Sequence, residues 1–96
     1  REIVRRRQDD VLTLGRDPAC SLVVASGRAS RQHCAIERRQ DKFVLADRST
    51  NGTYVTVEGG GEVLVRREEI WIGEHGWIAF GQPRAQADAV AEYFCE

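Results

Sequence analysis

Short runs of alternating apolar and polar residues recur about every ten residues along this chain, each closed by a cluster of Gly, Asp, Asn or Ser. This spacing restricts the fold more than any other feature, because such runs are too short for a stable helix and must bury their apolar side by pairing in a sheet. Residues 11–14 end at Gly15, residues 22–24 end at Ala25-Ser26-Gly27, and residues 34–38 end at Gln40-Asp41. Residues 43–47 leave that turn as the second arm of a hairpin, and residues 54–57 follow the sharp Asn51-Gly52 step. After Gly59-Gly60-Gly61 the pattern resumes at 62–65, 69–72 and 77–80. The spacing predicts an all-β sandwich or barrel. A first strand is expected over 2–7. The last segment is ambiguous: Ala87, Val90, Ala91 and Phe94 lie on a helical stripe, while Val90, Glu92 and Phe94 alternate. A final strand at about 89–94, beside the first, is expected because it covers an otherwise bare edge; a helical linker is the alternative.

At 96 residues the chain is expected to form one domain over 1–96 with one modest core. Fourteen Lys and Arg against fifteen Asp and Glu give a net charge of -1, which excludes a global field attracting nucleic acid or membrane. Charge recognition has to be local. Apart from Lys42 the cations are all Arg, the side chain suited to bidentate contact with phosphate or carboxylate. No apolar run approaches a membrane span and the N-terminus lacks the apolar stretch of a secretory signal, so a cytoplasmic, intracellular setting is expected. The absence of methionine leads us to expect a piece of a longer protein. Cys20, Cys34 and Cys95 lack zinc-site spacing and are read as reduced core thiols; no metal or cofactor is expected.

Polar residues concentrate between the strands, at Gly15-Arg16, Ser26-Gly27-Arg28, Ser30-Arg31-Gln32-His33 and the stretch from Asp47 to Thr53. Loops meeting at one end of a sandwich bring Arg guanidinium groups beside Ser and Thr hydroxyls and an Asn amide. A phosphate ester, with three strong acceptor oxygens and a charge of about -1.5 to -2 at pH 7, is suited to such donors. No matched acid and base are present to transfer it, so the pattern indicates binding.

Gly15-Arg16 after a strand, then Ser30-Arg31-Gln32-His33, then Ser49-Thr50-Asn51-Gly52-Thr53, in this order and spacing, resemble the forkhead-associated (FHA) domain family over about 11–81. Trp77-Ile78-Ala79-Phe80-Gly81 is similar to the family's penultimate strand and turn. The resemblance implies an eleven-stranded, antiparallel or mixed β-sandwich that binds phosphothreonine in partner proteins through loops at one end. It implies that Arg16 and Ser30 contact the phosphate, Ser30 through hydroxyl and backbone N–H, and that Arg31 and Thr50 reach it as well. Asn51 matches the asparagine that bonds the ligand's main chain. Gly15, His33 and Gly52 match positions that shape and brace the loops. Arg28 falls where family members choose the third residue after phosphothreonine, and a preference there for Asp or Glu is expected. The chain departs from the family at Cys20-Ser21, where an Asp and an aliphatic residue are common, and at Thr56, where a second Asn is common.

Simpler readings compete. Asn51-Gly52 alone is a hairpin turn, and Asn51-Gly52-Thr53 is formally a glycosylation sequon that needs a secreted chain. Ser30, His33 and Asp47 suggest a hydrolase, but no nucleophile elbow accompanies them. His75 reads as an exposed turn residue, and Trp71 and Trp77 as core and rim packing. The expected function is a phosphothreonine-dependent interaction module of a larger signalling protein, recruiting a phosphorylated partner or its own phosphorylated tail. The alternative is a phosphate-independent scaffold or dimerisation domain.

Overall fold

The computed structural model describes residues 2–6 and 11–95. Ten strands form among them: β1 (Glu2–Arg6), β2 (Leu12–Gly15), β3 (Leu22–Val23), β4 (Cys34–Arg39), β5 (Lys42–Asp47), β6 (Thr53–Val57), β7 (Glu62–Val65), β8 (Glu69–Trp71), β9 (His75–Phe80) and β10 (Val90–Cys95). They make two five-stranded sheets, β1-β10-β9-β6-β7 and β3-β2-β4-β5-β8, with no helix among the described residues. The pairs β1/β10 and β2/β3 are parallel; the other pairs are antiparallel.

Alternation along each strand sets the core. Ile36 from β4, Leu45 from β5, Val55 from β6, Ile78 and Phe80 from β9, and Ala91 and Tyr93 from β10 are buried between the sheets. Tyr93 also satisfies its hydroxyl by donating to the Ile72 carbonyl, the partner a buried phenol requires. The three cysteines are buried thiols outside any disulfide.

Several expectations need correction. The described residues contain ten strands rather than eleven. Between β3 and β4 the backbone is engaged in loop contacts, Val24 N–H to the Gly15 carbonyl and Ala29 N–H to the Ser26 carbonyl, so no further strand pairs there. The helical stripe near the C-terminus amounts to one turn, in which the Gln86 and Ala87 N–H groups bond the Pro83 carbonyl. The chain from Val90 to Cys95 is the strand beside β1; Arg7, expected to extend β1, lies outside the described residues. Neither tryptophan is in the core: Trp71 is 69% exposed, and Trp77 is half-buried beneath the Arg84 guanidinium, 4.5 Å from its ring. His75 is half-buried in β9, bonded to Glu92 at 2.7 Å.

The topology gathers one set of loops. The ends of β2, β3, β5, β7 and β9 lie together with the starts of β4, β6, β8 and β10, so the segments following Gly15, Val23, Asp47, Val65 and Phe80 share one end of the sandwich.

Candidate functional site

Gly15 closes β2 where the next chain approaches most closely. A Cβ there would sit 2.0 Å from the Arg31 carbonyl oxygen, so no larger residue fits without moving the backbone. The approach lets the Arg16 N–H bond the Ser30 carbonyl at 3.0 Å and the Asp17 N–H bond the Arg31 carbonyl at 3.1 Å. The Arg16 side chain is fixed by its Nε, which donates to the Ala29 carbonyl at 2.5 Å. Its terminal nitrogens have no partner among the described residues and the side chain is exposed.

His33 links three segments. The Ser30 N–H donates to Nδ1 at 3.0 Å, which assigns the ring proton to Nε2 and makes the 2.9 Å contact a donation to the Gly52 carbonyl. The same carbonyl accepts the Gly81 N–H at 3.0 Å. Burial pushes the His33 pKa down, keeping the ring neutral at physiological pH. Gly52 lies at φ +92°, a left-handed conformation that favours glycine.

Ser30 and Thr50 meet directly: the Thr50 N–H donates to the Ser30 Oγ at 3.1 Å. A hydroxyl that accepts one bond still has its own proton to donate. Asn51 reaches the preceding loop, its Nδ2 donating to the Arg28 carbonyl at 3.3 Å. Hydrogen bonds thus tie Arg16 to Ser30 to Thr50 and Asn51 to Arg28, the two sets being joined by the Thr50–Asn51 peptide bond, and all five residues except half-buried Ser30 are exposed. Two hollows on the outer sheet faces, about 280 Å³ around Val44 and Trp71 and about 350 Å³ around Trp77 and Val90, include none of these residues.

Two expected contacts are arranged differently. The Ser30 N–H is engaged by His33, leaving the hydroxyl as that residue's donor. Arg31 is on the right loop, but its guanidinium bonds Asp17 at 3.2 Å. Asp17 is held below the ordinary carboxylate pKa by the Ala19 N–H and, more weakly, by Arg31 and Gln32. The hydrolase geometry is not assembled, because both His33 ring nitrogens bond backbone groups and Asp47 bonds other partners.

Asp47 is the main residue whose role sequence reasoning missed. It is buried and accepts from the Ser49 hydroxyl at 2.7 Å, the Thr53 hydroxyl at 2.6 Å, the Arg67 N–H at 2.9 Å and the Ser49 N–H at 3.2 Å. Ser49 Oγ in turn accepts the Gly52 N–H at 2.7 Å. The loop bearing Thr50 and Asn51 is built around this carboxylate. Ser26 has a similar part on a smaller scale, donating to Asp88 at 2.7 Å and accepting the Arg28 N–H at 3.1 Å.

A family model described as FHA domain matches residues 12–81. The chain belongs to the FHA domain family. Among solved structures, the N-terminal FHA domain of S. cerevisiae Rad53p in complex with a phosphothreonine peptide is similar at a TM-score of 0.65 and 25% identity, over 88% of this chain and 68% of that one. The MEK1 FHA domain in complex with a HOP1 phosphothreonine peptide is similar at a TM-score of 0.60 and 25% identity, over 76% and 74%. FHA-1 of Mycobacterium tuberculosis Rv1747 shares the fold at a TM-score of 0.62 and 24% identity, over 80% and 72%. No curated protein matches the chain.

Proposed function

We propose that this FHA domain binds phosphothreonine, in a partner protein or in a phosphorylated segment of its own polypeptide, and recruits that ligand within a larger signalling protein. The observation that carries the reading is the Arg16–Ser30–Thr50 arrangement: an exposed guanidinium held by a carbonyl, beside two hydroxyls on loops fixed to each other. Arg16 pairs with the phosphate while the Ser30 and Thr50 hydroxyls donate to its oxygens. Arg31 joins by leaving Asp17, a solvent-screened surface pair that is easily exchanged. Asn51 offers its amide oxygen and second N–H to the ligand main chain. Arg28 favours Asp or Glu at the third residue after phosphothreonine. Gly15, His33 and Gly52 keep the loops in place. Threonine is favoured over serine by a small pocket for the γ-methyl group, as in the family resemblance.

The solved neighbours carrying phosphothreonine peptides support this reading. Calorimetric titration with matched phosphothreonine, phosphoserine and unmodified peptides tests it. Binding is expected in that order, negligible for the unmodified peptide, and weaker as pH falls through the second phosphate pKa of about 6. Equal affinity for phosphorylated and unmodified peptides refutes it.

A further inference from the structure

The β7–β8 turn grips the Thr50 loop with two consecutive arginines. Arg67 lies at φ +56°, in the left-handed region uncommon for a residue with a side chain. It is secured there by its N–H on the buried Asp47 carboxylate and its Nε on the Ser49 carbonyl, both at 2.9 Å. Arg66 then donates from Nη2 to the next carbonyl, that of Thr50, at 3.1 Å.

A carbonyl fixes a guanidinium without cancelling its charge. Arg31 and Arg39 are held differently, paired with Asp17 and with Glu37 and Glu69, while Arg38 at the far end of β4 is held on the Gln40 carbonyl. Among the described residues, neither Arg16 nor Arg66 has a carboxylate within ion-pair distance, and both are exposed. Thr50 connects them: its N–H bonds Ser30, to which Arg16 is tied, and its C=O bonds Arg66. The two cations thus flank the Ser30–Thr50 contact. Arg66 uses one of five N–H donors and keeps the remainder for a ligand.

We infer that Arg66 is a specificity-determining residue, contacting a second anionic group that flanks phosphothreonine in the ligand, either an acidic side chain or a second phosphate. The inference rests on the phosphothreonine reading and extends it.

The test titrates the wild-type domain, Arg66→Ala and Arg66→Lys with phosphothreonine peptides in which one aspartate, or one additional phosphothreonine, is walked along an otherwise neutral flank. Wild type is expected to favour an anion at one flanking position other than the third residue after phosphothreonine, which is assigned to Arg28, by about three- to fivefold, the range of an exposed ion pair. Arg66→Ala also releases the Thr50 carbonyl, so the readout is the ratio between the anion-flanked and neutral-flanked peptides: that ratio should fall to one in Arg66→Ala and be partly restored in Arg66→Lys. The aspartate and phosphate series show which source of charge is taken. An unchanged preference in Arg66→Ala, or equal weakening on every peptide, overturns the inference while leaving the phosphothreonine reading intact. Failure of wild type to bind any phosphothreonine peptide defeats both.

Discussion

Arg16 is immobilised by the carbonyl of Ala29, so it reaches the surface oriented and still charged. Its replacement by Ala removes charge-assisted bonds and little packing, so affinity for phosphothreonine peptide should fall roughly thirtyfold, about 2 kcal/mol, with an unchanged melting temperature. Retained affinity in calorimetry contradicts that role. His33 makes the second prediction at this scale. Its folded pKa lies below the ordinary value near 6.5 because the ring is buried. The unfolded chain then takes up its proton first as pH falls, so the stability from neutral His33 is complete above about pH 6.5 and declines below it. Thermal melts between pH 7.5 and 5 should show this decline, and His33→Asn, already destabilised at pH 7.5, should show a shallower one. Equal slopes contradict it. Gly15, Ser30, His33 and Asn51 were legible as a set because each belongs to a short motif. The diversion of the Ser30 N–H to His33 was not, since it depends on the loop folding back over three residues.

The loop from Asp47 to Thr53 behaves as an element, with a carboxylate in place of a core. Asp47→Ala leaves the hydroxyls of Ser49 and Thr53 and the Arg67 N–H without their acceptor in a buried site. A loss of about 2–4 kcal/mol is expected in urea unfolding, together with weakened peptide binding. A change below about 0.5 kcal/mol contradicts the role given to that carboxylate. Alternation located the strands from β2 to β9 within a residue or two, because each has one buried face. It did not reveal Asp47, which in sequence resembles any acid at the end of a strand. Nor did it reveal the Arg66–Arg67 turn, whose left-handed residue is an arginine where glycine or asparagine is the usual sign.

At the scale of the whole molecule, a net charge of -1 conceals segregation: Arg16, Arg28, Arg31, Arg48, Arg66 and Arg67 all belong to loops at one end. Composition could not show this, because only the strand topology brings those loops together. The topology also makes the folding unit larger than the family match. Strand β10 lies beyond residue 81, yet it pairs with β9 and β1 and buries Ala91, Tyr93 and Cys95. Ending the chain at Gly81 exposes that core, and with net stabilities of about 5–15 kcal/mol typical of a domain, cooperative urea unfolding should be lost. A sharp transition in the shortened chain contradicts this. The ligand is expected to dock at the end of the sandwich that carries Arg16, and amide chemical-shift mapping during titration with a phosphothreonine peptide reads that location residue by residue. The largest shifts should fall on Arg16, Ser30, Thr50 and Asn51, with little change at Trp71 or the 58–61 turn; shifts concentrated on a sheet face or at the opposite end would place the ligand elsewhere and refute docking at these loops.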